Sequence, residues 1–99
     1  MVTDTITNEK LEKYFSVTGE ALALAKNALD SSTEERLAHA KEFLDMTQRY
    51  YDDAKHFEKT GDRVLAFAAL NYAHGWLDAG ARIGLFKVKD SRLFTVDEE

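Results

Sequence analysis

The sequence predicts an all-α fold: an antiparallel three-helix bundle with a C-terminal tail packing back on it. Three observations carry that expectation. Three long segments space their apolar residues in alternating steps of four and three, which keeps each set on one helical face. No proline interrupts any of them. The glycines are few, and Gly61 and Gly84 stand where two of the segments would stop. Apolar stripes have to be buried, and three of them can bury one another around one core. The chain of 99 residues therefore reads as a single helical domain over residues 1–99, with helices over about 8–30, 33–60 and 63–83 and a tail over 85–99.

The first helix carries the stripe Leu11, Phe15, Thr18, Leu22, Ala25 and Leu29. Thr7 is placed to cap it, with Ile6 and Leu11 as a hydrophobic staple around the cap. The second carries Leu37, Ala40, Leu44, Thr47, Tyr51 and Ala54. Ser31 or Ser32 is expected to cap it, because Glu34 and Glu35 each stand three residues after one of them, as in a capping box. Gly61 can take the left-handed conformation that ends this helix, and Asp62 then caps the next. So short a turn forces the second and third helices into an antiparallel hairpin. The third helix carries Leu65, Ala69, Tyr72, Trp76, Ala79 and Ile83, all expected in the core, and Gly84 ends it with Leu85 as the apolar cap contact.

Two arcs are wider than one seam needs. Phe43, Met46, Tyr50 and Phe57 flank the second stripe, and Ala66, Leu70, Ala73 and Leu77 flank the third. Each of these helices should meet more than one neighbour, or else a second copy of the chain. After Gly84, the residues Leu85, Phe86, Val88, Leu93, Phe94 and Val96 are too apolar for a solvated tail, so part of it is expected to fold back on the bundle or onto a partner.

Composition limits the function. Hydrophobic residues at 44% and charged residues at 31% describe a folded domain rather than a disordered chain. There is no cysteine, which excludes disulfides, thiol catalysis and thiolate metal sites. A net charge of −5 argues against duplex DNA as a partner, since that requires a basic surface. Charge is nevertheless uneven: Arg82, Lys87, Lys89 and Arg92 form a basic stretch interrupted only by Asp90, and Asp97-Glu98-Glu99 closes the chain with acid. The basic stretch suits a small anion, although a solvated tail accounts for it as well. Met1 to Asn8 is polar, and no apolar run nears the roughly 18 residues of a membrane span. A cytoplasmic protein without membrane contact is the expectation.

Three pieces of the hairpin resemble a known family. They are Tyr50-Tyr51-Asp52-Asp53-Ala54-Lys55, then Lys59-Thr60-Gly61-Asp62 with Ala66-Phe67-Ala68, and then Asn71-Tyr72-Ala73-His74-Gly75-Trp76-Leu77-Asp78-Ala79-Gly80 running on to Arg82, Gly84, Leu85 and Phe86. Together they make the region from Phe43 to Phe94 similar to the archaeal domain of unknown function 357 family. The resemblance implies an archaeal source and a small helical domain, and it supplies no reaction. Some relatives look like appendages of nucleotidyltransferase-type domains, which implies a helper role.

Candidate functional residues fall into a few sets. Asn71, His74, Asp78 and Arg82 follow steps of three, four and four, which puts them on one face of the third helix, opposite Tyr72 and Trp76. They could form a small polar binding site, with His74 as acid, base or ligand, Asp78 orienting it and Arg82 holding an anion. They could instead be solvated helical pairs worth about 0.2–0.5 kcal/mol each. A third reading has the stripe holding the tail down, with Gly75 and Ala68 letting another segment approach closely. Arg49 and His56 give an R-x6-H spacing that resembles the arginine–histidine pair of HEPN ribonucleases, though Asp45, Asp52 and Asp53 beside them would repel phosphate. Asp52–His56 and His74–Asp78 have metal-ligand spacing, but two ligands do not make a zinc site. Tyr50, Tyr51, Tyr72 and Trp76 read as core rather than as base-stacking platforms, and the Trp76 indole N–H should find a partner such as a backbone carbonyl.

The leading expectation is a non-enzymatic helical interaction or adaptor module that binds a protein partner or itself, with no catalytic residue, metal or cofactor. The alternative is a nucleotide- or RNA-phosphate-binding domain, in its enzymatic form a HEPN-like ribonuclease.

Overall fold

The structure, a computed structural model, describes residues 5–94. Val96 and the acidic Asp97-Glu98-Glu99 lie outside the described residues, as do the first four. Three helices follow one another, α1 over Asn8–Lys26, α2 over Glu34–Lys59 and α3 over Arg63–Arg82, and they pack as an all-α bundle 45 × 29 × 17 Å in extent. The α2–α3 hairpin shares the most extensive interface, and α1 lies more on α3 than on α2. α3 is thus the central helix.

Local chemistry explains the ends. The Thr7 hydroxyl accepts from the Lys10 N–H (3.1 Å), and Ile6 packs into the same apolar cluster as Leu11. Both Gly61 (φ +82°) and Gly84 (φ +76°) sit in the left-handed region that spares them a Cβ clash. At each, the next N–H closes a six-residue ring: Asp62 N–H bonds the Phe57 carbonyl at 2.9 Å, and Leu85 N–H bonds the Gly80 carbonyl at 2.8 Å. Asp62 then caps α3 through the Leu65 N–H at 3.0 Å.

The second cap corrects the serine expectation. Thr33, not Ser31 or Ser32, accepts from the Arg36 N–H at 3.0 Å. The Ser32 N–H is instead taken by the Asp30 carboxylate at 3.0 Å, so the capping role passes one residue on. Thr33→Ala is expected to cost about 1 kcal/mol, whereas Ser31→Ala changes stability by less than about 0.5 kcal/mol; urea unfolding of the two variants measures the contrast.

α1 also stops earlier than expected, at Lys26 rather than near residue 30. Ala28, Leu29 and Asp30 leave the helix to meet the returning tail. Leu29 and Phe86 form an antiparallel bridge, with Asp30 N–H to the Leu85 carbonyl at 2.8 Å and Lys87 N–H to the Ala28 carbonyl at 2.7 Å. These backbone bonds outweigh another helical turn because they let Leu85 and Phe86, each 1% exposed, enter the core. The tail does pack back on the bundle. Asp90 organises a last turn, accepting from the Leu93 and Phe94 N–H groups, and both side chains are buried against Leu22, Ala25 and Leu77.

Apart from Leu29, which lies beyond the end of α1, the α1 and α2 stripes hold, with Leu11, Thr18, Leu22, Ala25, Ala40, Thr47 and Ala54 buried. Buried Thr47 satisfies its hydroxyl on the Phe43 carbonyl of its own helix (2.8 Å). The α3 stripe is rotated from its expected phase. The core takes Ala66, Ala69, Leu70, Ala73, Leu77 and Gly80, while Tyr72 is 55% exposed, Ile83 54% and Leu65 46%. Apolar residues ring most of α3, so periodicity alone leaves its phase open. A central helix touching two neighbours is closest-packed on its small residues, and the large aromatics move to the rim.

Candidate functional site

Asn71, His74, Asp78 and Arg82 share a helix but not a site. His74 faces α1: its Nδ1 lies 3.2 Å from the Thr18 hydroxyl, and its Nε2 lies 3.7 Å from an Asp78 carboxylate oxygen, an ion pair when the imidazole is protonated. Thr18, His74 and Asp78 stand in the order of a nucleophile, base and orienting acid. Thr18 is only 1% exposed, however, so its hydroxyl cannot reach a substrate. The arrangement satisfies a buried hydroxyl and ties α1 to α3.

Asn71 belongs elsewhere. It lines an open groove of about 370 Å³ with Phe43 of α2 and Tyr72, Gly75, Trp76 and Ala79 of α3. Two edge-to-face pairs join α2 to α3 beside it, Phe43–Trp76 with centroids 5.0 Å apart and Tyr50–Tyr72 at 4.3 Å. No other segment of this chain approaches Gly75 closely, contrary to the expectation, since a Cβ there would meet nothing within 4 Å. The Trp76 indole makes no hydrogen bond among the described residues, and no buried polar side-chain atom lacks a partner, so its N–H is left to solvent.

Arg82 falls in a third place, at the C-terminal end of α3. It lines an open cleft of about 620 Å³ with Ala81, Gly84, Phe86, Lys87, Val88 and Lys89. Among the described residues, three cations and no carboxylate line it. At the other end of the bundle, a cleft of similar size is lined by Glu12, Glu58 and Asp62 with Arg63. Only the first has the sign to attract an anion.

The bonds that hold the tail run through two residues that sequence reasoning passed over. Asp30 is buried and accepts from the Arg36 Nε at 2.9 Å, while the Arg36 Nη2 donates to the Ile83 carbonyl at 2.7 Å. Arg36 thereby joins the α1–α2 loop to an open end of α3. Its hydrogen bond, helped by the Ser32 N–H, holds the Asp30 carboxyl far below the usual carboxylate range. No periodicity could reveal the pair, because Asp30 lies in a loop. The one hint was an acid following the last stripe residue, Leu29, with an arginine in the first turn beyond.

Arg49 and His56 are both exposed on α2, and Arg49 Nε already donates to Asp45 at 2.9 Å. A guanidinium occupied by a neighbouring carboxylate is poorly disposed to a phosphate. Among the described residues, no three His, Asp or Glu side chains come close enough together to hold a metal ion. Among the described residues, no helix is long and apolar enough to cross a membrane.

Fold and surface together define a small three-helix-bundle domain, closed by a C-terminal turn, with a polar node, an aromatic groove and a basic cleft. The chain belongs to the family described as protein of unknown function (DUF357), which it matches over residues 13–86. That span takes in most of α1, so the family unit reaches well ahead of the Phe43–Phe94 region that resembles it most visibly, and it ends at buried Phe86, before Leu93 and Phe94. No curated protein and no solved structure matches the chain.

Proposed function

We propose that the protein is a cytoplasmic, non-enzymatic helical interaction module that self-associates through the outer face of α3. The aromatic groove carries this reading: Tyr72, Trp76 and Phe43 surround an open floor at Gly75, and the apolar strip continues to Leu65 and Ile83 at its two ends. A second copy of the chain suits this face for two reasons. Along it, Tyr72 and Trp76 alternate with Ala68, Gly75 and Ala79, so two such faces related by a two-fold axis can interdigitate. None of the groove-lining residues is charged, so chains of net charge −5 meet there without apposing like charges.

Gly75→Arg separates this role from folding. The position is open, so the monomer is expected to be as stable as the parent or up to about 1 kcal/mol more stable, glycine being a poor helix former. The same side chain blocks the two-fold face. Light scattering after size exclusion, from micromolar to millimolar chain, should show the parent dimerising and Gly75→Arg monomeric. A parent that stays monomeric throughout overturns the reading.

A further inference from the structure

The basic cleft supports an inference independent of self-association. The turn at Gly84 sends Phe86 down into the core and brings the next three residues back beside the last turn of α3. Burial then alternates, with Lys87 and Lys89 exposed on either side of half-buried Val88. The two lysines therefore border the same opening that Arg82 borders from the helix, over a floor of half-buried Val88 with buried Phe86 beneath it. Asp90 is held by two side-chain bonds from Arg92, and Asp30, which also attracts Lys87 electrostatically, is bonded by Arg36. Neither lysine makes an ion pair among the described residues. In a chain whose net charge is −5, the cleft concentrates the opposite sign. Its volume of about 620 Å³ lies within the range of small-molecule sites.

We propose that this cleft binds a phosphate-bearing ligand whose body rests on the apolar floor, a nucleoside phosphate being the class that fits both parts. Lysine and arginine supply the charge that phosphate oxygens need, and the half-exposed Val88 side chain offers apolar surface to the ligand's body. Lys87 and Lys89 follow the residues matched by the family, so the ligand site is built partly from this chain's own continuation. Exposed cations hold such a ligand loosely, with dissociation constants from high micromolar to millimolar that rise with salt.

Backbone amide NMR on the full chain, in low salt near neutral pH, tests this with four probes: pyrophosphate, ADP, adenosine and a short single-stranded RNA. The expected result is saturable shifts over residues 81–89 with pyrophosphate and ADP, tighter for ADP, and none with adenosine. A Lys87→Gln/Lys89→Gln variant should weaken ADP binding by about tenfold while unfolding at the parent's temperature, since both side chains are exposed. RNA shifting the same residues in competition with pyrophosphate supports the phosphate chemistry and names a strand as its source. The proposal is overturned if pyrophosphate and ADP give no saturable shift, if the shifts lie elsewhere, or if the double variant binds ADP as the parent does. Because Gly75→Arg leaves the cleft untouched, a monomeric parent that still binds ADP separates this result from that for α3.

Discussion

Phe86→Ala is expected to cost about 3–5 kcal/mol, a large part of the total stability of a domain this size. Phe86 is the largest fully buried side chain, its backbone bridges Leu29, and its ring lies against Gly80 of α3. Removing the ring opens a cavity beneath the tail and frees Leu85, Leu93 and Phe94, which share its cluster. Thermal unfolding followed by circular dichroism should show the loss, at about 4–8 °C of melting temperature per kcal/mol. A companion variant fixes the cause. A Cβ at Gly80 would fall within 3.2 Å of three Phe86 ring atoms, so Gly80→Ala must displace a ring already closed in by the core. It should destabilise by about 1–3 kcal/mol despite alanine's better helix propensity. In a Phe86→Leu background the same change should cost less, with a coupling of about 0.5–3 kcal/mol. Additive effects would mean that the contact does not set the height of the tail above α3.

Arg36→Ala is expected to give the next largest loss, one that depends on pH. The side chain holds both Asp30 and the Ile83 carbonyl, so its removal leaves a buried carboxylate without its cation and an end of α3 without its donor. The sign follows from the Asp30 carboxyl, whose folded-state pKa lies far below its unfolded value, first through the Arg36 hydrogen bond and then through the Ser32 N–H. A depressed carboxyl contributes stability that is fully present above the unfolded value of about 4 and is lost progressively as pH falls toward the folded one. The gap between parent and Arg36→Ala should therefore be widest near neutral pH and narrow below about pH 4. Asp30→Asn should flatten the same limb of the parent's profile. Denaturant midpoints at a series of pH values measure both, and parallel profiles for parent and variants would remove the ion pair from the account of tail closure.

The readings that succeeded and failed differ by the range of the interactions behind them. Thr7, Gly61, Asp62 and Gly84 were legible because each cap is a bond between residues at most five apart. The α1 stripe was legible because polar residues bound it on both sides. The phase of α3 was not, since its apolar residues nearly encircle it and Ala66, Ala73 and Gly80 give little hydrophobic signal, though they decide how closely helices approach. The four-residue polar stripe dispersed for the same reason: a small error in phase sends Asn71 to the groove, His74 to α1 and Arg82 to the cleft.

The sequence by itself determined that the chain is three capped helices with an apolar tail, because helical period and capping chemistry act over a single turn and need no partner. Only the tertiary structure decided which face of α3 is inside, that Asp30 and Arg36 fasten the tail, and that Arg82 meets Lys87 and Lys89 across a cleft. Those outcomes depend on the fit of side-chain volumes between helices and on charges brought together from separate segments, and neither is written in the spacing along one helix.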